Sequence, residues 1–312
     1  MAMHAGFYRQ YKDISMDMMT QQFAIDPKLY GIPDRAQLVD LRIWDSHYHG
    51  FLTGTEPIKQ HHEMMFYVER MGIERVISVD IGGTLQDPLD PKPHDKEQLD
   101  ILKKNKDKVS GIIPIDPGFP EESRAKMEQW IRNGPAIGIK YVGGNKLGIT
   151  CDHPNNDRII SLAAELNAAI YIHTWIKTGG EPRHPGGANL KGESTPMHVA
   201  KLAQRFPHVQ MICGHSGGDW ELGARAIRAY ENVMFEFSGA DPQSGSVDYA
   251  VNLLGADRIV WGGHGPSRSF ATELSKVLDA NISHNERMKI FGANYRRLTA
   301  KIFKSKGINI RP

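Results

Sequence analysis

The stretch Trp44-Asp45-Ser46-His47-Tyr48-His49-Gly50 sets two histidines two residues apart. On a strand, residues at that spacing point the same way, so His47 and His49 can converge on one ion. Neutral imidazole nitrogens are the usual ligands of zinc and similar metals. One His-x-His pair is common by chance, and its surroundings decide what it means. Three more histidines follow short apolar runs in the same manner: His173 after Ala169-Ile170-Tyr171-Ile172, His215 after Met211-Ile212-Cys213-Gly214, and His264 after Val260-Trp261-Gly262-Gly263. A satisfied core histidine explains any one of these, but explains the set poorly.

These histidines need elements to position them. Apolar, β-branched runs predict strands at residues 41–45, 75–80, 109–115, 137–141, 169–173, 209–214, 233–237 and 258–262. Most are apolar on both parities, as for strands buried on both faces of a parallel sheet. Amphipathic stretches at 57–71, 95–106, 120–132, 156–167, 195–206, 219–230 and 247–254 predict the intervening helices, and the last unit carries two, at 270–278 and 284–303. Thr195 and Asp219 are expected N-caps, with Pro196 at the first helical position. Eight strand–helix alternations favour a closed (β/α)8 TIM barrel, an α/β fold, over an open doubly wound sheet. No Gly-rich phosphate loop supports the open sheet; Gly214-x-x-Gly217-Gly218 lacks the dinucleotide spacing. In a barrel the five histidines at four strand ends meet around one axis, on the face where such barrels carry their active sites. The division expected is a helical N-terminal extension over residues 1–38, followed by a catalytic barrel over 39–312. The extension holds Met16, Met18, Met19 and Phe23, a cluster suited to packing on the barrel or on a second copy in a homo-oligomer.

Taken in chain order, His47-x-His49, Gly138-Ile139-Lys140, Tyr171-Ile172-His173, Gly214-His215-x-Gly217-Gly218 and Trp261-Gly262-Gly263-His264-x-Pro266 resemble the amidohydrolase superfamily. The nearest branch is the amidohydrolase-related group of metal-dependent barrel hydrolases and decarboxylases. The run from Glu286 to Leu298 is similar to that branch's closing helix, so the resemblance spans about residues 40–303. It implies one divalent metal ion, zinc by preference, with manganese or another ion open. His47, His49 and His173 would be its ligands, His215 a further ligand or a hydrogen-bond partner of the attacking water, and His264 the proton-transfer residue. One departure matters. The branch has aspartate where this chain has His264, and a neutral or cationic imidazole does not replace the fixed negative charge of a carboxylate. Both a working histidine and an impaired site follow from that change.

The resemblance implies a hydrolase that uses metal-activated water on a C–O or C–N bond of a small carboxylated lactone, ester or amide. A non-oxidative decarboxylase of a carboxylated aromatic or enol acid is the second expectation, and a barrel impaired by His264 the third. Lys140 either anchors a substrate carboxylate or only a neighbouring acidic side chain, or, carbamylated, bridges two metals; one metal favours the anchor. Arg268 could hold an anionic group, and Trp175, Lys177 and Arg183 lie in a Gly- and Pro-rich loop suited to a substrate wall. His61 and His62 fall within a helix, and His153 lies on a loop with no evident role. His4, His94, His184, His198, His208 and His284 fit no ligand spacing.

Bulk properties narrow the partners. The chain has 312 residues and a formal net charge of +2 without a long basic run, so nothing singles out nucleic acid. Two cysteines, Cys151 and Cys213, cannot build a disulfide framework, and Cys213 reads as a small core hydrophobe. No apolar stretch has membrane-spanning length and the first residues lack a signal-peptide core, so a cytoplasmic enzyme with a small-molecule substrate is expected.

Overall fold

The computed structural model describes residues 33–50, 57–83, 87–90, 94–176, 189–240 and 244–311. The expected extension falls mainly outside these residues, as do Lys177, Arg183, His4 and His184. Asp34 opens the first described helix, α1 (Arg35–Asp40): its side chain accepts from the Gln37 N–H while Gln37 returns a bond to the Asp34 N–H. Such a reciprocal cap satisfies two of the amides that a helix start otherwise leaves open.

Eight strands follow, each paired in parallel with the next: β1 (Ile43–Tyr48), β2 (Ile73–Ser78), β3 (Val109–Ile115), β4 (Gly138–Tyr141), β5 (Ala169–His173), β6 (Met211–Gly214), β7 (Val233–Glu236) and β8 (Ile259–Val260). Helices alternate with them: α2 (Pro57–Arg70), α3 (Asp95–Lys104), α4 (Pro120–Met127), α5 (Asp157–Glu165), α6 (Pro196–Arg205), α7 (Trp220–Ile227), α8 (Ser246–Leu254), α9 (Phe270–Leu278), α10 (His284–Met288) and α11 (Asn294–Ser305). This is the (β/α)8 barrel. Among the described residues Glu74 is the one exposed strand position, which explains why the strands read as apolar on both parities.

The first and last strands meet through backbone bonds beyond the ladder. The Ser46 N–H and hydroxyl both donate to the Trp261 carbonyl, at 3.2 and 2.7 Å. The His264 N–H donates to the His47 carbonyl at 2.7 Å, and the His49 N–H to the Gly265 carbonyl at 2.8 Å. Asp45 Oδ1 accepts the amides of His47 and Gly263, one from each side of this seam. At the opposite end of the barrel, Arg75 lies between the rings of Trp44 (4.8 Å) and Phe303 (5.0 Å) and donates to the Lys106 carbonyl and Ser110 Oγ, both at 2.8 Å. Its charge is thereby hydrogen-bonded and faced by π-clouds.

Several boundaries differ from the sequence expectation, and two of them have a plain physical cause. The first strand starts at Ile43 because α1 ends in a turn that puts Arg42 at φ +51°, and it therefore runs on through His47. The expected helix 284–303 is two helices joined by a wider, π-helical turn at Lys289–Ala293. That turn brings the Ile290 carbonyl to the Trp261 N–H at 3.1 Å, so packing against β8 outweighs regular helix geometry. Thr195 and Asp219 do cap α6 and α7, and Cys151 and Cys213 are buried free thiols. Among the described residues no helix is long and apolar enough to cross a membrane.

Candidate metal centre

Strand alternation aims His47 and His49 into the mouth of the barrel, where their Nε2 atoms lie 2.9 Å apart. The His264 ring stands 4.4 Å from that of His47 and 4.7 Å from that of His49, centroid to centroid. His215 is 4.8 Å from His47 and 5.1 Å from His264. Donor atoms of His47, His49 and His264 all fall within 4.8 Å of one another, and those of His47, His215 and Glu236 do likewise. His173 stands at the side of this group, its ring 4.7 Å from that of His215 and its Nε2 3.2 Å from Glu193 Oε1. Of the three residues expected as ligands, the geometry thus joins two, His47 and His49, with His264 in the tight set, and leaves His173 hydrogen-bonded at its edge.

Local backbone explains how β6 and β8 deliver their histidines. His215 and Ser216 adopt φ of +58° and +44°, and His264 adopts +51°. Non-glycine residues rarely take this left-handed conformation, and they cluster where surroundings over-determine them. Here the seam bond from the His264 N–H to His47 does so on one side, and the amide of His215 is held by Glu236 Oε2 at 3.0 Å on the other.

The imidazoles are held neutral. Burial, with Lys140 next, keeps His47 and His49 well below the usual histidine range; burial and the neighbouring His173 do the same for His215. His264 is pushed down to about 3, by burial first and then by Lys140. Neutral imidazole is the ligating form. The Lys140 Nζ is 2.8 Å from His47 Nε2, and burial pulls its ammonium down to about 7. Lys140 is 1% exposed, so it lies buried against His47 and not open to the mouth. Trp175 lies nearly parallel to His173 at 6.5 Å, and Arg268 sits exposed at the rim, donating to the Gly239 carbonyl at 2.9 Å.

A metal ion fits this donor set on an observation independent of any relative. Two neutral imidazoles, His47 and His49, turn their Nε2 atoms toward each other at 2.9 Å beside a third imidazole, while His49 Nδ1 is buried without a hydrogen bond. Several residues of the site carry no sequence motif. Glu236 and Ser238 join Tyr171, itself part of the β5 motif, around His47 Nδ1, and Glu193 meets His173. Tyr171 and His173 share a strand face, as their spacing allows, and Glu236 ends its strand as His173 ends β5. His153, without a sequence role, accepts from the Asn155 N–H at 3.2 Å and so opens a helical turn.

Comparison with known proteins places this geometry. No curated protein matches the sequence significantly. Solved structures match in fold: 2,6-dihydroxybenzoate decarboxylase from Rhizobium has a TM-score of 0.62 at 16% identity, over 83% of this chain and 98% of that one. 5-Carboxyvanillate decarboxylase from Novosphingobium aromaticivorans, complexed with manganese and 4-hydroxy-3-methoxy-5-nitrobenzoic acid, has a TM-score of 0.59 at 18% identity, over 79% and 84%. An uncharacterized TIM-barrel protein from Bordetella bronchiseptica gives 0.62 at 17%, over 86% and 90%. At such identities the likeness speaks for the barrel alone. The family model Amidohydro_2, amidohydrolase, matches residues 78–298, beginning after His47 and His49 and covering β3 to β8 with their histidines. With that match over most of its length, the chain belongs to the Amidohydro_2 family of amidohydrolases.

Proposed function

We propose that this chain is a metal-dependent, non-oxidative decarboxylase of a small carboxylated aromatic acid. The observation that carries the reading is the chemistry of the mouth: five imidazoles beside a buried lysine, with His264 where the hydrolases and decarboxylases of this branch both have a carboxylate. Nitrogen donors and positive charge suit the holding of an anion. They lack the fixed negative charge at β8 that takes a proton from attacking water. The decarboxylases among the structural neighbours support the same choice.

His47 and His49 would hold the ion, with His215 and His173 close enough to join. When bound, a divalent ion supplies an electrophilic anchor for the substrate's oxygen atoms. Zinc suits a set of neutral imidazoles, and the manganese of the neighbours is the alternative. Lys140 adds positive charge near the carboxylate, Arg268 holds a second anionic group at the rim, and Trp175 faces the ring. Loss of carbon dioxide leaves an electron pair on the ring carbon that must take up one proton. His264, partly exposed like His173, is placed to deliver it, and a bound anion raises the proton affinity that burial and Lys140 depress.

Hydrolysis is the second reading, favoured by Glu193, a carboxylate at the edge of the cluster on His173. The test is to load the purified protein with zinc or manganese and offer hydroxylated benzoic acids beside lactones and esters. Metal-dependent release of carbon dioxide upholds the decarboxylase. Ring or ester opening without carbon dioxide upholds the hydrolase, and full metal content with neither activity means an impaired barrel.

A further inference from the structure

The two ring nitrogens of His47 have different surroundings. Nε2 faces the cluster, 2.9 Å from His49 Nε2 and 2.8 Å from Lys140 Nζ. Nδ1 faces the barrel wall, 2.6 Å from the Tyr171 hydroxyl and 3.1 Å from Ser238 Oγ. Behind Tyr171 stands Glu236, fully buried, whose Oε2 receives the phenol's short hydrogen bond. The same oxygen accepts the His215 amide at 3.0 Å, and Oε1 accepts the Ser238 amide at 2.6 Å.

A phenol has one proton, and the carboxylate is its stronger acceptor. The Tyr171 oxygen therefore turns a lone pair toward His47. Two lone pairs facing each other at 2.6 Å would repel, so Nδ1 must carry the imidazole proton. A neutral ring protonated at Nδ1 has its lone pair on Nε2, the nitrogen aimed at the cluster. Two glycines keep the room for this arrangement. A Cβ at Gly214 would overlap the Tyr171 ring and hydroxyl, and one at Gly262 would lie 2.5 Å from Glu236 Oε1 and 2.9 Å from Ser238 Oγ.

We propose that Glu236, acting through the Tyr171 hydroxyl, is a positioning relay that fixes His47 as the Nδ1–H tautomer and so presents Nε2 to the metal. The proposal rests on the metal reading above. Neither residue needs to touch substrate. Partners that orient a ligating histidine are worth roughly ten- to a hundredfold in metal affinity.

The test combines two readouts on the whole chain. Nitrogen-15 NMR of histidine-labelled, metal-free protein reports which ring nitrogen of His47 is protonated, with the signal assigned by its loss in His47→Asn. Chelator competition gives the zinc affinity. The wild type should show Nδ1–H. Tyr171→Phe should convert His47 to a tautomer mixture and weaken zinc about tenfold or more, whereas Ser238→Ala should leave the tautomer in place. Should Tyr171→Phe not fold, Glu236→Gln takes its place, because loss of the carboxylate charge frees the phenol proton to move toward His47. An Nε2–H signal in the wild type overturns the relay, as does a folded variant that keeps both tautomer and affinity. If the wild type binds no zinc yet shows an Nδ1–H signal that Tyr171→Phe abolishes, the relay stands and only the metal reading falls.

Discussion

His264 is where residue chemistry has most consequence. Its ring packs 4.4 Å from His47 and 4.7 Å from His49, close enough for an aspartate in its place to bring a carboxylate to the same donors. His264→Asp should therefore raise affinity for manganese relative to zinc by on the order of tenfold, because oxygen ligands suit manganese and imidazole suits zinc. Competition between the two ions, followed by elemental analysis, measures the ratio; an unchanged ratio would remove His264 from the metal's surroundings. The histidines were legible in sequence because type and strand-end position coincide. Glu236 shares the position but not the type: it falls within the expected strand 233–237, where a single acid belongs to no motif. Only the fold shows it fully buried against Tyr171.

Among the elements, α2 carries a second histidine environment outside the mouth. His61 is buried with Tyr48 Oη 3.3 Å from its Nδ1, and burial, with His62 next, lowers it from 6.5 to about 4. The native state thus holds His61 neutral where the unfolded chain binds a proton. Stability must therefore fall as pH drops from about 6.5 to 4, the interval in which the unfolded state binds more protons. At about 1.4 kcal/mol per pH unit, the wild type should lose on the order of 2–3 kcal/mol more than His61→Leu across that interval. Denaturant titrations at several pH values would show it, and parallel acid limbs for the two proteins would refute it. Helix caps were legible because Thr195-Pro196 and Asp219 carry their own stop and start chemistry. The π-helical turn at Lys289–Ala293 was not, since it answers to Trp261, some thirty residues earlier, and to nothing in its own periodicity.

At the scale of the whole molecule, alternation of strand and helix predicts the barrel, but sequence does not show how its edges meet. The seam depends on Asp45, whose Oδ1 accepts the His47 amide at 2.8 Å and the Gly263 amide at 2.6 Å while burial raises its carboxyl to about 7. Asp45→Ala would leave two buried amides without an acceptor, at about 1–3 kcal/mol each. The variant should lose on the order of 2–5 kcal/mol of stability and, with the histidines untouched, part of its metal affinity. A loss under about 1 kcal/mol in equilibrium unfolding would show that the seam does not need it.

That seam also sets a timetable. Ser46 and Trp261 are 215 positions apart, and His264 docks on the carbonyl of His47. A ribosome completes β1 early, yet the two histidines of that strand have no closed mouth to face until β8 has emerged. Metal should accordingly enter after synthesis, as a final fastening of a barrel whose first and last staves have just met. Nascent chains halted before Ile259 should hold zinc no better than an unfolded histidine-containing peptide.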